Sequence, residues 1–399
     1  MSDFADLTRL LQKYVEDGLP GCGIMIARQG EVLYENYFGW SDVEAKAPVT
    51  EKSLFRQASL TKIAIYTALM KLFEQGKFLM SDPISEFFPE WRYSTKRVVK
   101  ANGTVDVVPT DHPITIKHVM TMTCGLPYDM KMDDSPSFHP VSERMAEKMK
   151  PLREKGYFTL REQIRAMAEV PLAFEPGERW LYGFASELAA GLLEEIGGKP
   201  AELVLKELLF DPLGMESTAN FIQGDMAERL VKSYYLYPGK QLGDENAFYA
   251  LTPEQDARAV GPLGTVSGFS RVITNCRDYT RLMQMLANGG CYGGERIMGR
   301  KTIDLMRSNC LTDAMIREDF TTPYLAGYGY GYGVRTLLDR YAGQHNGSPG
   351  AFGWTGGSGT WAEADPAEGV SIVYMHNLQP NLEEYHHLRM RATAYGCLR

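Results

Sequence analysis

The 399-residue chain lacks a basic run, and its 42 lysines and arginines are outnumbered by 50 aspartates and glutamates, for a formal charge of -8. A surface of that sign repels phosphate backbones and anionic headgroups, so neither nucleic acid nor a membrane is expected as a partner. No apolar stretch approaches the ~20 residues that span a bilayer. The opening Met1-Ser2-Asp3-Phe4-Ala5-Asp6 carries acid where a signal peptide carries base. A cytoplasmic location is expected on that ground, or a periplasmic or secreted one if a leader has been removed. The six cysteines (Cys22, Cys124, Cys276, Cys291, Cys310 and Cys397) include no Cys-x-x-Cys pair, which favours reduced thiols over disulfides or a zinc site. There is no His-Glu-x-x-His among the seven histidines, whose nearest cluster is His386-His387, so no metal and no other cofactor is expected. The Gly-x-Ser-x-Gly elbow is missing too, which removes the α/β-hydrolase fold. Repeats and low-complexity tracts are also absent. What remains, 44% hydrophobic and 23% charged, is an ordinary globular chain able to form one large core or two subdomains.

The stretch that organises the rest is Phe55-Arg56-Gln57-Ala58-Ser59-Leu60-Thr61-Lys62, followed at once by a helical run from Ile63 to Gln75. That run is apolar at Ile63, Ile65, Tyr66, Ala68, Leu69, Met70, Leu72 and Phe73, and its polar stripe is narrow, so the helix is expected to be largely buried until Gly76 stops it. At ~100° per residue, Lys62 falls about 165° from the middle of the stripe, facing the interior, with Ser59 one turn earlier and about 60° away. A serine hydroxyl is a poor nucleophile without a neighbouring base, and a lysine serves as one when burial or a second charge pushes its pKa down. Backbone N–H groups at a helix start can also receive an oxyanion. Taken alone, Ser-x-x-Lys reads equally well as a helix cap beside a chance lysine.

Along the chain, residues 3–17 read as an amphipathic helix, and Cys22 to Arg28 and Glu31 to Phe38 as a β-hairpin around Gln29-Gly30. A short helix is expected to end near Trp91, a surface hairpin to span Thr95 to Asp111, and a helix capped by Thr115 to cover Ile114 to Thr121. Tyr128 to Gly156 reads as a long loop able to cover a pocket. Helices follow at 159–169, 185–196 and 199–209, then an irregular stretch at 215–258 and a glycine-rich loop from Gly261 to Ser270. Cys276 to Asn288 is helical, Phe352 to Glu363 and Gly369 to Met375 are strands, and 381–395 is a final helix.

Strands at both ends and helices between them predict an α+β fold: one antiparallel sheet from both termini, flanked by helices, with a helical subdomain inserted. The expected division is 1–56 with 259–399 as the sheet domain and 57–258 as the helical one, with the Ser59 helix opening onto the cleft between them.

Two further stretches have the character of a site. Phe174-Glu175-Pro176-Gly177-Glu178-Arg179-Trp180-Leu181-Tyr182 is a tight turn delivering Tyr182 just before a helix, and Trp354-Thr355-Gly356-Gly357-Ser358-Gly359-Thr360 joins an indole to small residues that a ligand can approach closely. In order and spacing, these stretches with Phe55 to Lys62, Ile114 to Leu126 and Gly261 to Ser267 resemble the serine β-lactamase and penicillin-binding protein superfamily. The resemblance is to its class C-like branch, which includes family VIII carboxylesterases. It covers nearly the whole chain and implies a β-lactamase/transpeptidase-like fold. It further implies Ser59 as the acylated nucleophile, Lys62 as a partner in its deprotonation, and Tyr182 as the base and proton donor to the leaving group. The backbone N–H groups of Ser59 and Gly357 would form the oxyanion hole.

The departures from that family are informative. Trp354-Thr355-Gly356 stands where lactamases and carboxypeptidases carry Lys-Thr-Gly or His-x-Gly, and Tyr182-Gly183-Phe184 stands for Tyr-x-Asn. Each lost polar contact removes ~1–3 kcal/mol from the binding of a charged or peptide substrate. The altered positions, Trp354, Thr355, Gly356 and Phe184, are therefore expected to bind an uncharged, moderately apolar group. The resemblance then implies a serine hydrolase of the carboxylesterase type with a small-molecule ester or amide as its partner. D-stereospecific amidase or peptidase action, a β-lactam-reactive penicillin-binding type, acyl transfer to an alcohol, and a slowly acylated sensor or binding module are the alternatives. Oligomeric state is not encoded in any motif.

Overall fold

The computed structural model describes residues 3–129, 139–252 and 272–399. The glycine-rich stretch expected at Gly261 to Ser270 lies outside them.

Eight strands build the main sheet: β1 Gly21–Arg28, β2 Glu31–Asp42, β3 Ala47–Pro48, β4 Tyr328–Tyr330, β5 Arg335–Leu337, β6 Phe352–Thr355, β7 Trp361–Asp365 and β8 Val370–His376. They lie in the order β4-β5-β6-β7-β8-β1-β2-β3, and every neighbouring pair is antiparallel. The two ends of the chain meet where β1 pairs with β8, from Cys22 opposite His376 to Arg28 opposite Val370. This is the antiparallel sheet from both termini that the sequence predicts.

Side-chain alternation divides the apolar residues of these two central strands between two cores. Ile24, Ile26, Ile372 and Tyr374 pack with Leu7, Leu11 and Tyr14 of the first helix, Ala5–Glu16, and with Met390 and Ala394 of the last, Leu388–Gly396. Met25, Val373 and Met375 face the other way, onto Tyr279 and Met283 of the helix Cys276–Ala287 and the larger core beyond. Each such side chain removed from water contributes about 1.5–3 kcal/mol. The helix Thr61–Glu74 runs through that larger core, and every residue from Thr61 to Met70 is buried. It packs against the helix Ala185–Gly197, where a side chain at Gly191 would stand 2.2 Å from the Ile164 methyl.

Four expectations need correction. Part of the loop expected over Tyr128 to Gly156 is a helix, Ser142–Lys155, whose Met145 and Met149 are buried; Pro151 and a lysine-rich outer face mask its period. The stretch 215–258 is not wholly irregular, since it holds a short helix, Met226–Arg229, and the strands Tyr234–Leu236 and Phe248–Ala250. Phe352 to Glu363 is not one strand: a tight turn at 356–360 folds it into the β6–β7 hairpin. The final helix opens with a wide turn, Glu383–His387, before Leu388–Gly396. Elsewhere the helix Ile116–Met120 has Thr115 as its cap, and the hairpin Thr95–Val99 with Val105–Pro109 pairs as expected.

Candidate active site

The nucleophile segment is pinned from several sides before it becomes a helix. Phe55 and Arg56 pair with Thr274 and Ile273, the Gln57 N–H donates to the Val272 carbonyl (2.8 Å), and the Thr360 hydroxyl donates to the Gln57 carbonyl (2.9 Å). The Tyr279 hydroxyl holds the Leu60 carbonyl at 2.7 Å. Between these anchors Ala58 is forced into the left-handed region at φ 46°, which costs an L-residue about 1–3 kcal/mol. A 3₁₀ turn, Ala58–Leu60, then lifts Ser59 to the mouth of the helix. One turn on, the Lys62 ammonium donates to Ser59 Oγ at 3.0 Å, and Lys62 is only 6% exposed.

Tyr182 arrives on its own braced turn. Gly177 N–H donates to the Thr123 carbonyl (2.8 Å), Leu181 N–H to that of Met122 (2.9 Å), and Phe184 N–H to that of Leu126 (3.2 Å). At Gly183 a Cβ would lie 1.9 Å from the Leu126 oxygen, so only glycine lets the turn close. The Asp319 carboxylate ties the turn from outside, accepting from Arg179 and from the Trp180 N–H (3.0 Å). Trp354, on β6, donates its indole N–H to the Tyr182 oxygen at 3.0 Å, and the two rings sit 5.3 Å apart. An indole nitrogen can only donate, so the Tyr182 oxygen must accept.

Ser59, Tyr182, Trp354, Thr355 and Gly357 open onto one cavity of about 220 Å³, whose remaining wall is Trp180, Leu181, Asp319, Thr321, Thr322, Tyr324, Leu325 and Asn381. A side chain at Gly357 would meet nothing within 4 Å, so space stands open above that peptide. The turn's own hydrogen bonds run from Gly356 N–H to the Thr360 carbonyl (2.7 Å) and from Gly359 N–H to that of Gly356 (2.9 Å), which leaves the Gly357 amide outside them. Gly356 does not line the cavity; it is pressed on the Gln57 carbonyl, where a Cβ would come within 2.4 Å. Phe184, expected in the binding site, is absent from the cavity wall as well and packs edge-on against Tyr128 at 5.0 Å.

The electrostatics depart from the expectation of a lysine pushed down. Burial does push Lys62 down, but attraction to the phenols of Tyr128 and Tyr182 and to the Glu187 carboxyl outweighs it, so its pKa is raised. The Lys62 nitrogen lies 5.0 Å from the Tyr182 ring centre and 5.9 Å from that of Tyr128. Burial raises the Tyr128 phenol, against the opposing pull of Lys62. Burial likewise raises Glu187, whose carboxylate accepts from the Ser186 hydroxyl at 2.7 Å. Tyr128 and Glu187 belong to no motif picked out from the sequence. The only available signals were Tyr128 directly after Gly125-Leu126-Pro127 and an acid in the first turn of a helix that is otherwise apolar from Leu188 to Leu193.

Comparison with known proteins bears on the family and the fold. The profile of the family described as Beta-lactamase matches residues 7–395. Esterase EstB of Burkholderia gladioli is 27% identical over 374 residues, covering 91% of this chain and 87% of the esterase. A putative D-alanyl-D-alanine carboxypeptidase of Escherichia coli strain K12 is 22% identical over 401 residues, covering 93% of this chain and 81% of its own length. Among solved structures, EstCE1, described as a hydrolase with promiscuous acyltransferase activity, superposes with a TM-score of 0.79 at 24% identity, over 98% of each chain. The simvastatin synthase LovD from Aspergillus terreus does so at 0.80 and 19% identity, over 99% of each. Both likenesses concern the fold. With the sheet, the ordered motifs and a family match over nearly its whole length in agreement, the chain belongs to the Beta-lactamase family.

Proposed function

We propose that the protein is a serine hydrolase that cleaves esters of uncharged, moderately apolar acyl groups through an acyl-enzyme on Ser59. The observation that carries this reading is the cavity wall. Beside the Ser59–Lys62–Tyr182 cluster stand Trp180, Leu181, Tyr324, Leu325 and Trp354, and no lysine or arginine is among the described residues that line it. The one charged lining group, Asp319, is already paired with Arg179. A substrate carboxylate, as in β-lactams and D-alanyl peptides, would find no cation there, and its desolvation would go uncompensated. The relative named an esterase supports the same reading.

In this reading the Lys62 ammonium holds Ser59 Oγ, and within the Lys62–Tyr182 pair the serine proton passes to the Tyr182 oxygen, which reacts as the phenolate beside that ammonium. The Oγ–carbonyl bond forms, and the resulting oxyanion is received by the Ser59 and Gly357 N–H groups. As the ester C–O bond breaks, the pair returns the proton to the leaving alkoxide through Tyr182. Water then attacks the acyl-enzyme, gives its proton to the same pair, and Ser59 leaves with that proton.

The test is a panel of p-nitrophenyl esters, nitrocefin and D-alanyl amides, run on wild type and on Ser59→Ala. Ester turnover that exceeds the other classes and vanishes in Ser59→Ala is expected. Undiminished turnover by Ser59→Ala would end the reading, and faster turnover of D-alanyl amides or nitrocefin would replace the substrate class. Intact-mass spectrometry should show an adduct that decays; one that persists without released product would mean a sensor.

A further inference from the structure

The Gly356–Thr360 turn contains three glycines and carries the amide assigned above to the oxyanion. Glycine is the residue with the most backbone freedom to lose, so a donor on such a turn is aimed only if something behind it fixes the chain. Three buried histidines stand there, none of them on the cavity wall: His376 at the end of β8, and His386 and His387 at the start of the last helical segment. His387 Nε2 lies 3.2 Å from the Gly359 carbonyl oxygen, close enough to donate to it. The His376 ring is pressed flush on Gly359, where a Cβ would stand 1.8 Å from its Cδ2, and Gly359 holds φ 98°, which favours glycine in any case. His376 Nδ1 meets the Tyr374 hydroxyl at 3.0 Å, and its ring lies 5.7 Å from that of His387. Below them the Leu378 N–H donates to the Ser358 carbonyl (3.0 Å), so the turn is seated on this cluster along its rear side. His376 Nε2 and His387 Nδ1 are buried without a protein partner among the described residues.

We propose that His387 and His376 are positioning residues for the oxyanion turn, His387 through its N–H to the Gly359 carbonyl and His376 through ring contact. This rests on the reading of Gly357 as an oxyanion donor. Neither ring touches substrate; they act by fixing the peptide that does. Burial is consistent with uncharged rings, since it pushes His387 down to about 3. An aliphatic side chain would fill the space but leave the Gly359 carbonyl only the longer bond from the His376 backbone N–H (3.4 Å), whereas a neutral imidazole adds a side-chain N–H and a flat face together.

The experiment compares His387→Phe, which keeps a ring and loses the donor, with His387→Gln, which keeps an N–H. Both are assayed on p-nitrophenyl butyrate beside Ser59→Ala. His387→Phe should lower kcat about tenfold or more with KM within about twofold, because the lost aim is felt in the transition state, and His387→Gln should recover most of the loss. Wild-type kcat in His387→Phe beside an inactive Ser59→Ala overturns the positioning role and leaves the serine mechanism standing. Turnover retained by Ser59→Ala overturns both. If His387→Phe does not fold, imidazole ¹⁵N NMR of the wild-type protein decides. A neutral Nε2–H tautomer at His387 upholds the assignment, and an Nδ1–H tautomer or a cation at pH 7 overturns it.

Discussion

Replacing Trp354 by lysine rebuilds the Lys-Thr-Gly sequence of the lactamases, and the structure predicts that this neither creates their activity nor is tolerated. Trp354 is 4% exposed and lies between Tyr182 and Tyr330, each 5.3 Å away ring to ring. An indole burying ~200 Å² at ~25 cal/mol per Å² contributes about 5 kcal/mol, of which the lysine stem recovers about half. The Arg335 guanidinium stands 5.7 Å from the centre of the ring to be replaced, itself buried and held by Glu383 at 2.7 Å. A second cation about 6 Å from it costs about 3 kcal/mol at an effective dielectric of ~20, partly offset by Glu383. Together these terms destabilise by about 4 kcal/mol, which at ~2.1 cal/mol/K per residue lowers the melting temperature by about 5 °C. Trp354→Phe is the control. It keeps most of the packing, loses only the hydrogen bond to Tyr182, and should cut kcat/KM about fivefold. Thermal unfolding by circular dichroism and turnover of p-nitrophenyl butyrate and nitrocefin are the assays. A Trp354→Lys protein as stable as wild type, or one that gains nitrocefin hydrolysis, would refute the argument that the aromatic wall and the buried arginine exclude a cation here.

Lys62→Met should abolish ester turnover without lowering the melting temperature, since an apolar chain of similar length replaces a buried ammonium; a clear drop in melting temperature would show that Lys62 is structural. Tyr182→Phe should reduce kcat by ~10²–10⁴ while far-UV circular dichroism stays unchanged, and a loss below tenfold would remove Tyr182 from proton transfer. Gly359→Ala should cost both stability and activity, as its Cβ falls 1.8 Å from the His376 ring; melting and kcat measured together check this, and a neutral outcome contradicts the packing behind the turn. Acid should unfold the protein by a route the histidines dictate. Burial pushes His387 down to about 3 and His386 to about 4 from an ordinary 6.5, so the unfolded chain takes up protons that the folded one refuses. Their contribution is whole above about pH 6.5 and is lost as pH falls towards 3. Glu363 adds a second, lower window: burial would raise it, but contact with His345 and further groups brings it to about 2, so its contribution is lost as pH falls from about 4.5 towards 2. Urea midpoints at pH 8, 6, 5 and 4 should hold above about pH 6.5 and decline below it, and a flat series from pH 6 to 4 would contradict the buried neutral histidines.

What the sequence determined by itself was local. The burial of the Ser59–Lys62 helix, the Thr115 cap and the hairpin of residues 21–42 follow from periodicity and turn chemistry, which act over a few residues and need no partner. The side of the helix on which Lys62 falls was legible for the same reason, because 3.6 residues per turn fix it before any packing. The tertiary structure alone decided what the lysine's surroundings do to it. Tyr128 and Tyr182 come from separate segments to surround one ammonium, and their attraction overrides the burial that the helix imposes. It also decided that the indole of Trp354 finds an oxygen 172 residues away in sequence, and that histidines beyond residue 375 stand behind the turn at Gly359. Such contacts depend on which faces of distant segments are pressed together when the two ends of the chain close one sheet, and local spacing does not carry that information.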